Sequence, residues 1–471
     1  MTQASLDVVG IGNAIVDVIA HADDAFLARE GLVKGTMTLI DGPRAEALYQ
    51  LMGPAVEVSG GSVGNTLAGL ASLGGKGAFI GKVRDDFLGE VYRHDITATG
   101  VRFDTPAATS GLGTARCLVL VTADGQRTMG TYLGASADLG PADVDPDVVG
   151  IGDAIVDVIA HADDAFLVRE GLVKGTMTLI DAPRAEALYR MMGPAVEISG
   201  GSVGNTMAGI ASLGGTGAYI GKVRDDFLGQ VYRHDMTATG IRFETPAATS
   251  GPATARCVIL VTADGQRTMG TYLGACAELG PADIDPDAIV AGQVTYLEGY
   301  LFDPPQAQEA FRKAAAVAHA AGRKVALSLS DPFCVGRHRE AFRDLVDGNI
   351  DILFANEAEI CSLYETADFA AAAAAVRGHV AIAALTRSAA GSVILADSAE
   401  HAIAAAPVAR VVDTTGAGDL YAAGFLYGLT HGLTLPTCGA IGSLCAAEII
   451  SHVGARPETS LSRLVAEAGL A

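Results

Sequence analysis

The segment DTTGAGD, residues 413–419, combines residue types that can handle phosphate and protons. Gly416, Ala417 and Gly418 are small, so at a helix N-terminus their backbone N–H groups could approach an anion closely. Asp419 follows at once and could act as a general base beside a transferring group. The same letters are also compatible with a plain glycine-rich helix start that carries an acidic residue in its first turn. On spacing alone, both interpretations stay open.

Other motif-like segments do not fit known nucleotide or metal patterns. GIGNAI (10–15) and GIGDAI (150–155) lack the third glycine of a GxGxxG dinucleotide fingerprint. GKV at 221–223 lacks the upstream glycine and the Ser/Thr of a Walker A loop. The ten histidines and seven cysteines form no HExxH, CxxC or similarly close ligand set.

The composition excludes several classes of partner. Lys and Arg number 32 against 54 Asp and Glu, and a formal charge of −22 disfavours nucleic acid but not nucleotides. The N-terminal residues MTQASLDVVG show no basic region followed by an apolar one, and no run of 18 apolar residues occurs. Scattered cysteines suit a reducing compartment. We therefore expect a cytoplasmic protein without nucleic-acid or membrane partners.

The elements that must position DTTGAGD alternate between strand and helix. Residues 287–471 include the strand-like KVALSLS and IDILFAN, each followed by a helix-like run such as VGRHREAFRDLVDG or EAEICSLYE. This alternation predicts βαβ units and an α/β fold whose parallel sheet is covered on both faces. DTTGAGD is expected where the strand of ARVV meets the helix of GAGDLYAAGFLYGLTHG.

The chain also contains a tandem repeat with a period of 140 residues. Residues 7–146 align with 147–286 without a gap and differ at only 21 positions. Each copy opens on the expected strand VVGIG(N/D)AIVDVIA and carries a hairpin, whose turn in the second copy is Asp264-Gly265. The period is the length of a domain or half-domain, and not that of a solenoid repeat. One copy alone resembles part of an α/β sheet with a small β-sheet attached.

Four segments resemble, in order, the motifs of the ribokinase-like (PfkB) family of sugar and nucleoside kinases. DTTGAGDLYAAGFL resembles the family's C-terminal signature, SGGSVGNT (199–206) its glycine-rich acceptor segment, NEAE (356–359) its Asn-x-x-Glu motif, and TRSAAG (386–391) its nucleotide-side region. The resemblance covers 147–471, about one family member. It implies a central, mostly parallel sheet flanked by helices, a small β-sheet lid, and an ATP-dependent kinase with a hydroxyl acceptor.

The resemblance implies roles for the catalytic side. Asp419 matches the family's general base, and the amides of residues 416–418 match its anion hole for phosphoryl oxygens. Asn356 and Glu359 match the pair that organises Mg²⁺ and phosphate. They also fit a helix capping box, and the two readings are compatible. ATP and Mg²⁺ are the implied cofactors, with K⁺ as a further candidate.

On the acceptor side, the resemblance implies direct contacts with substrate hydroxyls. Asp157 matches the family aspartate that hydrogen-bonds them, and Gly201 and Asn205 match its substrate-binding glycine and asparagine. The alternatives are an exposed aspartate at a strand end and, for Asn205, a helix cap. Arg267 either points into the site or is an exposed hairpin arginine.

The nucleotide side is implied to lie near Thr386, Gly391 and His452. The histidine could contact adenine. A histidine in the last turn of a helix is explained equally well by the helix dipole.

The implied acceptor is the 5′-hydroxyl of a nucleoside, adenosine first, because GGS-x-x-N and SLSDPF (328–333) resemble the adenosine-kinase branch. A ribose- or fructose-like sugar is the alternative. Tyr300 and Phe333 are candidates to contact the base, although single aromatics after strands are more often core residues. The branch has Asn where the second copy has Asp153, and that extra charge near Asp157 is expected to weaken acceptor binding slightly.

Only the second copy runs directly into a catalytic half. We therefore predict a complete kinase domain over 147–471, and an incomplete, non-catalytic duplicate over 1–146 that carries Asp17, Gly61 and Asn65. Its uncovered apolar faces and sheet edge make self-association an expectation. The alternative of a different class is a binding or assembly protein whose extra half spoils the site.

Overall fold

The computed structural model describes residues 6–140, 145–264, 266–396 and 399–470, in two compact units. Unit 1 is Met1–Asp145 and unit 2 is Pro146–Ala471. Gly265 of the predicted hairpin turn lies outside the described residues. No helix in the described part of the chain is long and apolar enough to cross a membrane. The seven cysteines are free thiols.

Unit 1 contains seven strands and four helices within its described residues. They are β1 Val8–Ile11, β2 Ile15–His21, α1 Asp24–Arg29, β3 Met37–Leu39, α2 Gly42–Leu51, β4 Val56–Ser59, α3 Ser62–Ser72, β5 Gly77–Ile80, α4 Phe87–Ala98, β6 Ala115–Val121 and β7 Arg127–Tyr132. The five strands β3-β7-β6-β2-β4 form one sheet in that order, and β1 pairs with β5 in a two-stranded parallel sheet.

The first part of unit 2 repeats these elements. They are β8 Val148–Ile151, β9 Ile155–His161, α5 Asp164–Arg169, β10 Met177–Leu179, α6 Ala182–Met191, β11 Val196–Ser199, α7 Ser202–Ser212, β12 Gly217–Ile220, α8 Phe227–Ala238, β13 Ala255–Val261 and β14 Arg267–Tyr272. The sheet β10-β14-β13-β9-β11 is the small β-sheet predicted from the sequence, and we call it the lid. β13 and β14 form its antiparallel hairpin.

The remainder of unit 2 alternates strands and helices. Its elements are α9 Pro286–Ala291, β15 Val294–Glu298, α10 Pro305–Ala320, β16 Lys324–Ser328, α11 Pro332–Arg337, α12 Arg339–Asn349, β17 Ile352–Asn356, α13 Glu357–Leu363, α14 Phe369–Val376, β18 Ile382–Thr386, β19 Ser392–Ala396, β20 Ala399–Ile403, α15 Ala417–Thr430, α16 Leu435–Ile449 and α17 Leu461–Glu467. The predicted helix VGRHREAFRDLVDG is two helices, which meet at His338.

The central sheet of unit 2 has eight strands in the order β12-β8-β15-β16-β17-β18-β19-β20. Its first six strands are parallel, and β19 and β20 complete it antiparallel. One face is covered by α7, α15 and α16, with Leu420 and Phe425 in the core, and the other by α10, α12 and α13, with Phe311 and Phe342. The predicted α/β fold with a doubly covered parallel sheet is therefore confirmed.

Two details of the predicted elements are wrong. VVGIGDAIVDVIA is not one strand, because the chain leaves the central sheet after β8 and enters the lid as β9. The turn needs Gly152, where a Cβ atom would lie 2.2 Å from the Glu298 carboxylate. ARVV before DTTGAGD is not a strand either: β20 ends at Ile403, and the Val412 N–H donates to the Ile450 carbonyl (2.8 Å) instead of to a sheet.

Candidate active site

Asp419 lies in the first turn of α15, at the interface with α7. Its Oδ1 accepts a hydrogen bond from the Ser202 hydroxyl (2.6 Å), and its Oδ2 accepts one from the Asn205 amide (2.9 Å). Both donors belong to the first two turns of α7. The helices can approach because Gly209 of α7 leaves room for Leu420 and Ala423 of α15. The two halves of unit 2 therefore meet at this carboxylate.

The environment of Asp419 suits a general base. Burial raises the pKa of its carboxyl to about 6, while the bonds from Ser202 and Asn205 and the charge of Arg456 lower it. A base with a pKa close to the working pH is ionised and still accepts a proton readily. Asn205 thus serves Asp419 directly, and its side chain is not a helix cap.

The helix start before Asp419 has the geometry expected of an anion site. Gly416 precedes α15 in the left-handed region (φ +80°), and a Cβ atom there would lie 3.0 Å from the Ala455 side chain. The first N–H groups of a helix have no partners within the helix. Ala417 makes a long turn contact to the Thr414 carbonyl (3.3 Å), and Gly418 is exposed. The amides of 416–418 are thus placed at the positive end of α15.

Asp157 lies on the lid strand β9, opposite Ile198 of β11. Gly200 lets its carboxylate lie against the chain, since a Cβ atom there would be 2.6 Å from the Asp157 Cγ. Burial raises the pKa of Asp157 to about 6; Arg456 and Arg267 lower it, and the charge of Asp419 raises it. Asp419 is therefore close enough to affect the ionisation of Asp157, as two groups around one acceptor would be.

Gly201 supports this arrangement through its backbone. Its φ is +80°, and a Cβ atom would lie 2.2 Å from the Asp153 carbonyl oxygen. A side chain at this position would push the β8–β9 turn away from the start of α7. Gly201 is thus placed between the strand that bears Asp157 and the helix that bears Asn205.

Arg267 is buried, and the reading as an exposed hairpin arginine is wrong. Its Nη1 lies 2.8 Å from Asp413 Oδ2 and donates to the Thr415 hydroxyl (3.3 Å). Asp413 also accepts from the Gly454 N–H (3.0 Å). The lid is thereby tied to the first residues of DTTGAGD by an ion pair that is largely shielded from water.

Sequence reasoning missed Arg456. This buried guanidinium donates from Nε to the Ser199 carbonyl (3.0 Å), from Nη2 to the Ser199 hydroxyl (2.9 Å) and from Nη1 to the Gly204 carbonyl. Its charge favours the ionised forms of both Asp157 and Asp419. No motif includes Arg456, and the only sequence signal is a lone basic residue in a loop after an apolar helix.

Asn356 and Glu359 form the capping box at the start of α13. The Asn356 N–H donates to Glu359 Oε2 (2.9 Å), the Glu359 N–H donates to Asn356 Oδ1 (2.9 Å), and the Asn356 amide donates to Glu359 Oε1 (2.6 Å). Glu359 is buried, and burial together with the charges of Asp331 and Asp419 raises its pKa to about 7. The described residues contain no cluster of three metal-binding side chains. Carboxylate and amide oxygens such as those of Glu359 and Asn356 are nevertheless ligands that a hard divalent cation such as Mg²⁺ prefers.

The three nucleotide-side candidates are placed unequally. Thr386 ends β18 directly beside Asn356, its partner in the sheet. Gly391 closes the β18–β19 turn with φ +82°. His452 lies beyond α16, which ends at Ile449, so it is not in the last turn of that helix as predicted. Its Nε2 lies 3.3 Å from Glu448 Oε1.

Three further residues lie in environments that differ from those expected. Tyr300 and Phe333 are exposed, at 45% and 77%, so neither is a core aromatic. Asp153 is buried, and its N–H donates to Glu298 Oε2 (3.2 Å). Burial and the charge of Asp153 raise the pKa of Glu298 well above its usual range. The charge at Asp153 thus acts on Glu298.

Comparisons with known proteins show the family to which the chain belongs. The family model described as pfkB family carbohydrate kinase matches residues 50–168 and 191–461. An adenosine kinase of Saccharomyces cerevisiae is 24% identical over 329 residues, which are 65% of this chain and 95% of that protein.

Two crystal structures are more similar. One is described as adenosine kinase from Sinorhizobium meliloti (52% identity, TM-score 0.64), and its whole length matches 69% of this chain. The other is described as a probable sugar kinase protein from Rhizobium etli (50% identity, TM-score 0.65), and its whole length matches 70% of this chain. The chain thus belongs to the pfkB family of carbohydrate kinases and is an ATP-dependent nucleoside or sugar kinase with a hydroxyl group as acceptor.

Proposed function

We propose that the chain transfers the γ-phosphoryl group of ATP to the 5′-hydroxyl of adenosine. The observation that carries this proposal is the convergence of Asp157 from the lid and Asp419 from α15, with Ser202 and Asn205 holding the latter. Such a site can bind vicinal hydroxyls with one carboxylate and deprotonate a third hydroxyl with the other.

In this mechanism each residue has a defined task. Asp157 accepts hydrogen bonds from the ribose hydroxyls and orients the acceptor. Asp419 takes the proton of the attacking hydroxyl, and the amides of residues 416–418 stabilise charge on the phosphoryl oxygens. The charge of Arg456 favours the ionised form of both carboxylates. Glu359, with Asn356, would hold Mg²⁺ through water, and the ion supplies neutralisation of phosphate charge when bound.

The choice of adenosine is supported by two observations. A crystal structure that is 52% identical to this chain is described as an adenosine kinase. Tyr300 and Phe333 present exposed aromatic surface on the catalytic half, which could stack against a base. The sugar alternative is supported by the 50% identity with a probable sugar kinase.

The experiment compares acceptors under the same conditions, with purified full-length protein, ATP and Mg²⁺. We expect adenosine to give AMP with a higher kcat/KM than inosine, guanosine, ribose or fructose. 5′-Deoxyadenosine is the matched control, because it keeps the base and the ribose diol but lacks the attacking hydroxyl. Faster phosphorylation of ribose or fructose would favour the sugar alternative. No product from any acceptor would contradict both and leave a binding or assembly role.

We further propose that Thr386, Gly391 and His452 lie along the nucleotide side, and that residues 1–146 take no part in catalysis. Unit 1 repeats Asp17, Gly61 and Asn65, but it has no residue that corresponds to Asp419. Its Arg127 is exposed, whereas the equivalent Arg267 is buried against Asp413.

A further inference from the structure

The same surface is buried in unit 2 and exposed in unit 1. Val9 and Ile11 of β1 are 53% and 61% exposed, whereas Val149 and Ile151 of β8 are fully buried. Leu73, directly after α3, is 87% exposed, whereas the equivalent Leu213 is 2% exposed. We call the surface formed by β1 and the outer side of α3 the unit 1 face.

Unit 2 shows what kind of contact this surface makes. The edge of β8 that faces away from β12 pairs with β15 in parallel, with Val148 opposite Val294 and Ile151 opposite Leu297. The outer side of α7 packs on α15, and the Ser212 hydroxyl accepts from the Leu461 N–H (3.1 Å). The covering elements all come from the catalytic half, residues 287–471.

The number of these surfaces in each chain shows which partner is left for the unit 1 face. Each chain has two copies of this surface but one catalytic half, and in unit 2 that half is already covered by its own α7 and β8. If unit 1 replaced the second copy on the catalytic half, the second copy would expose as much apolar surface as unit 1 buried. Among the described residues, the surface that the catalytic half leaves uncovered is therefore the unit 1 face.

We propose that the unit 1 face docks on the unit 1 face of a second copy of this chain. Among the described residues β1 has one neighbour, β5, so its other edge offers unpaired backbone groups. A twofold axis beside β1 would pair the two edges antiparallel and bring both α3 helices over the joined sheet, an isologous interface. β1 and α3 contain no charged residue, so two acidic chains can approach here without repulsion between facing side chains.

The test measures molecular mass against concentration by sedimentation of full-length protein. We expect a dimer at micromolar concentration that becomes monomeric in Leu73→Lys and in Val9→Lys. Val33→Lys is the matched control: Val33 and its equivalent Val173 are 68% and 67% exposed, so this position is outside the covered surface in both units. A monomeric wild type, or dissociation by Val33→Lys as well, would overturn the proposal. None of these masses depends on the proposed activity.

A second measurement distinguishes docking between two unit 1 faces from binding of unit 1 to the catalytic half of another chain. In Asp157→Ala, unit 1 of one chain, with its intact Asp17, could bind the catalytic half of another chain. The activity per molecule would then rise with protein concentration. We expect no such rise. Activity that rises with concentration and disappears in the Asp17→Ala, Asp157→Ala double variant would show that unit 1 binds a catalytic half, and would refute docking between unit 1 faces.

Discussion

Asp157 and Asp419 have similar burial but different partners. Asp419 is held by two neutral donors from α7, whereas Asp157 relies on the charges of Arg267 and Arg456. Burial raises the pKa of each to about 6. The group with neutral donors can exchange a proton without losing an ion pair, which suits the base of the proposed reaction.

The proposed base is tested by Asp419→Asn, which keeps the shape and the contact with Ser202. We expect kcat to fall by about 10²- to 10⁴-fold, the usual contribution of a general base, with a small change in KM. Steady-state kinetics with adenosine measures it, and thermal unfolding confirms that the variant is folded. A kcat within a factor of two of wild type would remove Asp419 from the role of base.

The pH dependence follows from the same carboxyls. Because the pKa of Asp419 is raised to about 6, the base is protonated below that pH, and kcat/KM should decline as the pH falls through 6. An ordinary aspartate would retain activity down to about pH 4. A profile that is flat between pH 7 and pH 5 would contradict the assignment.

Arg456→Met is expected to move this acidic limb to higher pH. The guanidinium lowers the pKa of both carboxyls, so its removal raises them. Ser199 and Gly204 also lose their donor, and we expect the free energy of unfolding to fall by about 3–5 kcal/mol. Arg463→Met, whose side chain is 66% exposed, is the control and should change neither quantity. A limb that stays in place or moves to lower pH would exclude this role.

Motifs were sufficient to single out Asp419, Asn205 and Asp157, since each stands in a recognisable run of letters. They could not reveal Arg456, because its partners Ser199 and Gly204 lie more than 250 residues away in the sequence. Likewise the state of Arg267 depends on Asp413 in the other half. Contacts between the halves are a property of the packed molecule, and no local pattern encodes them.

At the scale of elements, the break between β8 and β9 decides where Asp157 lies. Both strands are apolar and joined by three residues, so the sequence reads as one strand. The break follows from a distant residue, Glu298, whose carboxylate accepts from the Asp153 and Val203 N–H groups. The alternation of strand and helix after residue 287 was predictable, because each run there forms its own element.

Gly391 is expected to be indispensable for the β18–β19 turn. It has φ +82°, and a Cβ atom would lie 2.0 Å from the Ile403 carbonyl oxygen. Gly391→Ala must therefore separate β19 from the chain after β20, in addition to the strain of about 1–2 kcal/mol that alanine meets in this region. Gly378→Ala is the control, since Gly378 has φ +83° and open space around it. Equal melting temperatures for the two variants would contradict the steric argument.

At the scale of the whole molecule, the repeat supplies its own control. Asp157→Ala should lower kcat/KM for adenosine by about 10²-fold or more, because two charge-assisted hydrogen bonds are lost. Asp17→Ala changes the equivalent residue in the equivalent strand of unit 1 and should leave kcat/KM unchanged. The reverse pattern would show that unit 1 supplies the acceptor site.

The unit 1 sheet β3-β7-β6-β2-β4, here called the lid of unit 1, has the same strand order and pairing as the lid of unit 2, although a catalytic half accompanies only unit 2. Its formation therefore does not require residues 287–471. On the ribosome, both lids can fold before the first residue of the catalytic half has been made, because domains generally fold N-terminal first. The catalytic half then emerges attached to the second lid and separated from the first by 140 residues. The order of translation thus favours binding of the catalytic half to the copy that carries Asp157, from the moment of synthesis.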